Sequence, residues 1–466
     1  MTDSGRPTVL FVCHNHPSVR PGGAEAYGLE LHRHLVASGD VRSVFLAKGG
    51  PPLAPAGRVH LGTCVAPVDD RPDEYFFFTE DWNGAYDWTL GTIRDDKRLY
   101  TKHMRAFLRA IDPDVVHFQH TMFFGYDILR EVRNTCPDAA IVYTLHEFMP
   151  ICHRQGQMLR ATDDTPCMQA SPRRCNECFP EIDQQTFFLR KRFVQSHMAL
   201  VDRFIAPSEF LAQRYVDWGL PEEKVQVEEY GRTPPAGDAP VQARAHRDRF
   251  GFFGQLTPFK GLQVLLEAIA LVHDGPAQQQ DPLLAALERA AAPHPATPRR
   301  ARREDAEPRP HVRVHGANLD LQPGQFQNRV RDLLQRAGDS VTFIGAYDHA
   351  DLHAYMAEVD WVVIPSIWWE NSPLVIQEAF HFGRPVIASD IGGMAEKVTH
   401  EIDGLHFRAN DPTSLAAALR RAASEPGLWE RLHSRIRPVY RMDEHAQRLA
   451  ALYDELLHDR TPAHVA

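Results

Sequence analysis

The sequence predicts an α/β protein built from two Rossmann-like, doubly wound domains. Short, apolar, β-branched segments alternate with helical patterns, as expected for parallel strands joined by crossover helices. A Pro/Gly/Ala stretch at 233–243 interrupts this alternation once, and the alternation restarts at 250–254. A chain of 466 residues is too long for one ordinary core, so two or three domains are expected.

Each predicted strand is short and apolar, and a turn or a helical pattern follows it. The strands expected in the first domain are 8–13, 41–48, 115–118, 141–145 and the start of 203–210. Those expected in the second are 250–254, 312–316, 342–346, 361–366 and 385–389. The main helical patterns are 24–38 (ended by Gly39), 101–111, 261–272 and 414–457, the last broken near Pro438.

These patterns divide the chain into two domains of similar size. The first covers 1–235 and contains a Cys-rich loop at 151–180. A linker is expected at 236–248, and the second domain covers 249–466, with its terminal helix returning to the first domain. A segment rich in Pro, Ala, Gln and Arg at 275–310 is interpreted as a mobile insertion, because it cannot bury a core.

Composition indicates a globular protein and argues against several functions. The net charge of -10 argues against general nucleic-acid binding, which needs a basic surface. No apolar run reaches the roughly 18 residues of a membrane span, and no export signal is recognised, so a cytoplasmic location is expected. Two basic amphipathic segments, 97–109 and 187–198, allow weak peripheral contact with the inner membrane face, although ordinary amphipathic helices explain them better.

Two glutamates follow a predicted strand in the second domain. Glu370 lies in the loop after that strand, and Glu378 lies two turns into the next helix, whose start Ser372 can cap. Ligands of open α/β sheets bind at this edge, and a helix N-terminus there attracts phosphate. The spacing therefore predicts two carboxylates that reach two parts of one extended ligand, although it fits two surface residues equally well.

Three further signals lie after other strands. Lys260 follows the strand at 250–254 and could neutralise a diphosphate as a point charge. Gly22 and Gly23 allow a tight turn with exposed backbone before a helix, without the G-x-G-x-x-G of nicotinamide enzymes. His146 ends a buried strand, where histidines are more often structural than functional.

The Cys-rich loop offers a candidate metal centre. Cys152, Cys167, Cys175 and Cys178 lie in a polar loop with little apolar content, and the last two have C-x-x-C spacing. Four thiolates suit a structural zinc ion, which would stabilise a loop that has no core of its own. Four unrelated thiols remain the alternative.

The stretch from Pro365 to Val398, PSIWWENSPLVIQEAFHFGRPVIASDIGGMAEKV, resembles the signature of the family-four retaining glycosyltransferases. Glu370 and Glu378 match the E-x7-E motif of that family, and GGAE at 22–25 resembles its first-domain loop. The resemblance covers parts of both domains. It implies the GT-B architecture, in which two Rossmann-like domains face each other across a cleft.

The resemblance also implies roles for individual residues. Glu370 would contact the hydroxyls of the transferred sugar, Glu378 the ribose, and His146 the donor sugar. Lys260 would bind the diphosphate, with Gln255 at the position where the family usually has arginine. Donor contacts are also expected from Gly22, Gly23, Asn371, Ser372 and Leu374.

The departure at Gln255 removes one positive charge from the expected diphosphate site. Lys260 would then act alone, or another basic residue such as Arg232 would substitute. The resemblance implies that catalysis requires no cofactor or metal ion, and the sequence agrees, since no D-x-D pair is found near a candidate site.

The resulting hypothesis is a retaining, hexosyltransferase-type enzyme that uses a UDP- or GDP-linked sugar. The acceptor would be a glycan, a lipid-linked molecule or a small molecule, in polysaccharide or glycoconjugate synthesis. Two alternatives keep the same fold: a sugar-nucleotide epimerase and a non-catalytic nucleotide-binding protein.

Overall fold

The computed structural model describes residues 5–19, 22–49, 64–68, 71–78, 86–87, 91–93, 97–274 and 308–460. The chain divides into two compact units, and each is described by itself. The first unit comprises Met1–Thr233 together with Tyr440–Ala466, and the second comprises Pro234–Val439.

The strands are short and mostly buried, as the apolar segments predicted. Those of the first unit are β1 (Thr8–Cys13), β2 (Arg42–Gly49), β3 (Val65–Val68), β4 (Arg71–Phe78), β5 (Tyr86–Asp87), β6 (Thr92–Ile93), β7 (Val115–Phe118), β8 (Ala140–Thr144), β9 (Arg203–Ala206) and β10 (Val225–Val227). Those of the second unit are β11 (Arg249–Phe253), β12 (His311–His315), β13 (Val341–Gly345), β14 (Trp361–Ile364), β15 (Val386–Ser389) and β16 (Gly404–Phe407).

The described helices connect these strands. They are α1 (Gly23–Ser38), α2 (Lys97–Ile111), α3 (Asp127–Thr135), α4 (Pro172–Cys178), α5 (Gln184–Met198), α6 (Glu209–Trp218), α7 (Leu262–Asp274), α8 (Gly324–Ala337), α9 (Leu352–Ala357), α10 (Leu374–His381), α11 (Gly392–Lys397), α12 (Pro412–Ser424), α13 (Leu428–His433) and α14 (Met442–Arg460).

Each unit is built on a sheet of mainly parallel strands. The first sheet has the order β10-β9-β8-β7-β1-β2-β4-β3, in which β3 and β4 form the antiparallel pair, and β5 and β6 form a separate two-stranded sheet. The second has the order β13-β12-β11-β14-β15-β16, and all of its pairs are parallel. In each sheet, successive strands are added first on one side of the starting strand and then on the other, so a switch point lies between β1 and β7 and between β11 and β14. Open α/β sheets bind ligands at the carboxyl edge beside such a switch point.

The terminal helix α14 belongs to the first unit, to which the sequence analysis assigned it. Its Tyr453 hydroxyl lies 2.7 Å from His117 Nδ1 on β7, and His445 Nε2 lies 2.6 Å from the Tyr27 hydroxyl on α1. The segment predicted as one broken helix over 414–457 is three helices, because Gly427 and Pro438 interrupt it.

The expected linker at 236–248 is part of the second unit. Arg384, which is buried, donates hydrogen bonds to the carbonyls of Ala239 and Pro240. Arg244 and Arg247 form ion pairs with the Asp360 carboxylate. These contacts attach the segment to the second unit, which composition alone did not indicate.

Three further predictions have different outcomes. The strand expected at 342–346 is Val341–Gly345, one residue earlier. The insertion expected at 275–310 lies outside the described residues, except for 308–310. No helix within the described ranges combines the length and the apolar character that crossing a membrane requires.

Candidate functional site

The carboxyl edge of the second sheet brings Lys260 and Glu370 into contact. Glu370 follows β14, and Lys260 ends a single 3-10 turn after β11, the strand next to β14. Lys260 Nζ donates to Glu370 Oε1 at 2.6 Å. Two residues separated by 110 positions in sequence therefore form one charged pair.

Glycine allows this approach. Gly261 has a φ of +72°, and a Cβ there would overlap the backbone carbonyl of Pro365 at the end of β14. On the other side, a Cβ at Gly393 would overlap the carbonyl of Asn371, and the Gly393 N–H donates to the Glu370 carbonyl at 2.6 Å. The Glu370 loop is thus packed between the turn that ends at Gly261 and the start of helix α11.

Glu370 is a buried carboxylate whose charge is compensated. Its Oε1 also accepts hydrogen bonds from Ser366 Oγ at 2.8 Å and Trp368 Nε1 at 2.9 Å, and the residue is 7% exposed. Burial raises the pKa of this carboxyl, but the Lys260 charge and the three hydrogen bonds outweigh burial and leave the pKa below its ordinary value. Glu370 is therefore ionised at neutral pH.

Glu378 lies on α10, the helix that follows this loop, and is 8% exposed. Its Oε1 lies 2.9 Å from His349 Nε2, in the loop that follows β13. The helix begins at Leu374 with Pro373 as its N-cap and without a side-chain capping bond. The expected cap by Ser372 is therefore wrong, because the helix begins one residue after the proline.

The two basic or polar residues proposed around the diphosphate have different surroundings. Gln255 is exposed and follows Gly254 at the end of β11. Arg232 belongs to the first unit and forms an ion pair with Glu30 on α1, at 2.8 Å. The charge of Arg232 is thus already compensated by Glu30, and its role as a substitute at the Lys260 loop stays a prediction.

The first sheet has histidines at the ends of three adjacent strands. His14 follows β1, His120 follows β7 and His146 follows β8. His14 Nε2 lies 3.0 Å from Glu25 Oε1, and His120 Nε2 lies 3.0 Å from Glu147 Oε1.

These two His–Glu pairs are close together, since the rings of His14 and His120 have centroids 4.6 Å apart. Sequence reasoning missed His14, His120, Glu25 and Glu147 as functional candidates. The signal that could have found the two histidines is their position directly after, or one residue beyond, a buried strand.

Gly22 and Gly23 form the start of α1 beside the first pair. Gly22 is the N-cap, and a Cβ there would overlap the Glu25 carboxylate, which folds back over the helix start. A side chain at this position would therefore require the flexible Glu25 carboxylate to move.

His146, which the sequence placed in the site, is held at both ring nitrogens. Its Nδ1 lies 2.5 Å from the Tyr230 hydroxyl, and its Nε2 lies 2.9 Å from Gln119 Oε1. Burial lowers the pKa of His146 well below its ordinary value, so the ring is neutral at neutral pH.

The four cysteines of the predicted zinc site share one neighbourhood without forming a coordination site. Among the residues that the structure describes, no group of three or more His, Cys, Asp or Glu side chains is arranged to hold a metal ion. Burial, with the nearby thiols of Cys152, Cys167 and Cys178, raises the pKa of Cys175 to about 12. The described residues thus show no coordination geometry for zinc, and the zinc site stays a prediction.

If the prediction is right, elemental analysis of the purified protein will find about one equivalent of zinc. The Cys175→Ser/Cys178→Ser double variant should lose that zinc and melt at a lower temperature, because a metal would stabilise this polar loop. Cys64→Ser, outside the loop, is the control and should keep the metal. Unchanged zinc in the double variant would refute the site.

Two family sequence models match the chain. "Glycosyltransferase Family 4" matches residues 21–228, and "Glycosyl transferases group 1" matches residues 247–425. The chain is also 27% identical over 232 residues to a D-inositol 3-phosphate glycosyltransferase of Jonesia denitrificans, which is 48% of each sequence. It thus spans about half the length of this curated relative.

Solved structures resemble the whole fold. Sucrose-phosphate synthase from Thermosynechococcus elongatus aligns with a TM-score of 0.66 and 18% identity, covering 98% of this chain and 100% of that one. HepE from Anabaena, solved in complex with UDP and glucose, aligns with a TM-score of 0.59 and 15% identity, covering 97% and 100%.

The fold is therefore GT-B, with the Lys260–Glu370 pair and Glu378 inside the group 1 match and the histidine-bearing strand ends inside or next to the family 4 match. On these matches to both of its units, the chain belongs to the glycosyltransferases of the group 1 and family 4 type.

Proposed function

We propose that the protein transfers a sugar from a nucleoside diphosphate sugar to an acceptor hydroxyl, with retention at the anomeric carbon. The observation that carries this proposal is the 2.6 Å contact between Lys260 Nζ and Glu370 Oε1 at the carboxyl edge of β14. A cation and a carboxylate held side by side suit a diphosphate and the sugar that it carries.

The proposed reaction depends on stabilising the leaving group. Lys260 and the backbone N–H groups of Asn371, Ser372 and Leu374, at the start of α10, would bind the diphosphate as negative charge develops on it. Glu370 would accept hydrogen bonds from the sugar hydroxyls. The bond from the anomeric carbon to the phosphate oxygen breaks, the acceptor oxygen forms the new bond on the same face, and its proton passes to the leaving phosphate.

Glu378 is proposed to bind the ribose of the donor. Its carboxylate is buried on α10 and already oriented by His349, so it can accept from ribose hydroxyls without further ordering. His146, which follows β8 in the first unit, is also proposed to contact the donor sugar.

The acceptor is proposed to bind at the strand ends of the first sheet. The His14–Glu25 and His120–Glu147 pairs offer carboxylate oxygens and ring nitrogens, which are hydrogen-bonding partners for hydroxyl groups. A glycan, a lipid-linked molecule or a small polyol all have such hydroxyls. Polysaccharide or glycoconjugate synthesis is the proposed role.

The direct test is transfer with a defined donor. UDP and GDP should first be compared by their effect on the melting temperature, since a ligand that binds the folded state stabilises it. The nucleotide that stabilises the protein more decides whether UDP-sugars or GDP-sugars are tested as donors. NMR of the product then reports the anomeric configuration. Inversion at the anomeric carbon would contradict the mechanism. Conversion of donor sugar in the absence of acceptor would instead favour the epimerase alternative.

Transfer is expected to persist in the presence of a chelator. Lys260 supplies the positive charge that a metal ion would otherwise provide to the diphosphate. Initial rates should be compared with and without EDTA, and again after magnesium is added back. A complete loss of activity that magnesium rapidly restores would contradict this expectation.

A further inference from the structure

The two segments where the chain leaves and re-enters the first unit are joined to each other. The chain leaves after Thr233 and returns at Tyr440. The Arg232 N–H donates to the Tyr440 carbonyl at 3.0 Å, and the Met442 N–H donates to the Arg232 carbonyl at 3.0 Å. Gly231 makes this possible, because a Cβ there would overlap His445.

A buried polar network extends from this junction. Glu228 accepts from the Tyr440 hydroxyl at 2.7 Å and lies 3.2 Å from His445 Nδ1. Because a carboxylate can only accept, Nδ1 carries the hydrogen, and Nε2 on the other side of the ring lies 2.6 Å from the Tyr27 hydroxyl. Burial raises the pKa of Tyr27 well above its ordinary value, so this hydroxyl stays protonated and can donate.

Tyr27 connects this network to His146. Its ring centroid lies 4.4 Å from that of Tyr230 and 5.6 Å from that of His146. Tyr230 in turn contacts His146 Nδ1 through its hydroxyl. Tyr27 and His445 are both fully buried, so a shift of His445 cannot be absorbed by solvent and must move the aromatic rings.

We propose that His445, at the start of the returning helix α14, is a positioning residue that sets the orientation of His146 through Tyr27 and Tyr230. The proposal rests on the proposed function in so far as His146 acts in transfer. Its structural part, the orientation of the His146 ring, can be measured without any assay of activity.

Two substitutions at His445 separate its two hydrogen bonds. The amide of His445→Gln reaches the position of Nε2 and keeps a partner for Tyr27, whereas the amide of His445→Asn reaches only the position of Nδ1 and keeps Glu228. Tyr27→Phe removes the hydroxyl of Tyr27 and so breaks the Tyr27–His445 hydrogen bond from the tyrosine side. Tyr453→Phe is the matched control, because it removes an equally buried hydrogen bond of α14, to His117.

His445→Asn and Tyr27→Phe are expected to lower kcat about tenfold, as small misplacements at a reacting centre do. Calorimetric affinity for UDP or GDP should stay at the wild-type value, and His445→Gln should keep most of the wild-type kcat. Tyr453→Phe should lower the melting temperature to a similar degree and leave kcat unchanged. Equal losses of kcat in Tyr453→Phe and Tyr27→Phe would overturn the proposal, because they would reflect general loss of stability.

Histidine-selective ¹⁵N NMR supplies the second measurement. The ring nitrogen signals of His146, assigned with His146→Gln, should shift in Tyr27→Phe and His445→Asn and remain in place in Tyr453→Phe. Unchanged His146 signals in the first two variants would overturn the proposal whatever the kinetics. If these signals shift while the wild-type protein transfers sugar to no acceptor, the positioning stands and the proposed function fails.

Discussion

Replacing Glu370 by alanine is expected to lower kcat about 10- to 100-fold while the affinity for the bare nucleoside diphosphate is kept. A hydrogen bond to a charged group contributes about 1.5–3 kcal/mol, which corresponds to about 10- to 100-fold. The hydroxyls that Glu370 would hold belong to the ring that gains positive charge in the transition state, so the loss falls on kcat.

The Lys260–Glu370 contact also predicts how Glu370→Ala changes the affinity for the diphosphate. Lys260 Nζ is bound to Glu370 Oε1 at 2.6 Å, so the alanine variant frees the lysine to interact with a diphosphate. Affinity for UDP or GDP should therefore be equal to the wild-type value or higher, as measured by calorimetric titration beside initial rates with the intact donor. Lys260→Met should do the opposite and weaken diphosphate binding, because it removes the cation.

The control is Glu267→Ala, which removes a carboxylate from α7 that forms an ion pair with Arg329 at 2.6 Å. This variant should leave both kcat and affinity unchanged. A Glu370→Ala protein that loses diphosphate affinity as strongly as Lys260→Met would contradict the assigned role of Glu370.

Replacing Glu378 by alanine should weaken nucleoside diphosphate binding about 10- to 100-fold, with a matching rise in the donor KM, for the same hydrogen-bond energy. The carboxylate is buried on α10, next to the loop that holds Glu370, and the ribose hydroxyls are its proposed partners. Because ribose is bound equally in the ground state and the transition state, kcat at saturating donor should change little.

His349→Ala separates ribose binding from simple loss of the His349–Glu378 contact. His349 is half exposed and lies 2.9 Å from Glu378 Oε1, so its removal leaves the carboxylate in place with one partner fewer. Its effect on affinity should be clearly smaller than that of Glu378→Ala. Equal effects of the two substitutions would mean that the pair supports the loop after β13 and that Glu378 does not bind the ribose.

Much of the fold follows from local pattern. The strand at Thr8–Cys13 and the strand at Val115–Phe118 were predicted to the residue, because continuous apolar segments between turns have few alternatives in a parallel sheet. The strand at Val341–Gly345 was misplaced by one residue, and the helix after Glu370 begins later than its serine suggested. Both errors concern boundaries, which depend on hydrogen bonds made at each end.

Residues with a partner distant in sequence were harder to interpret. Arg232 was considered as a diphosphate ligand, but Glu30 compensates its charge. The His14–Glu25 pair was not recognised at all, because neither residue has a distinctive spacing to the other. The sequence around a charged side chain does not indicate which oppositely charged residue tertiary packing will place beside it.

The sequence alone determined that Lys260, Glu370 and Glu378 follow strands of a doubly wound sheet, since alternating apolar and helical segments place all strand ends at one edge. Only the tertiary structure decided that Lys260 and Glu370 are in contact at 2.6 Å. That contact requires β11 and β14 to be neighbours and a glycine at position 261 to clear the Pro365 carbonyl. Strand order and close backbone approach depend on interactions between segments far apart in the chain, which no local pattern records.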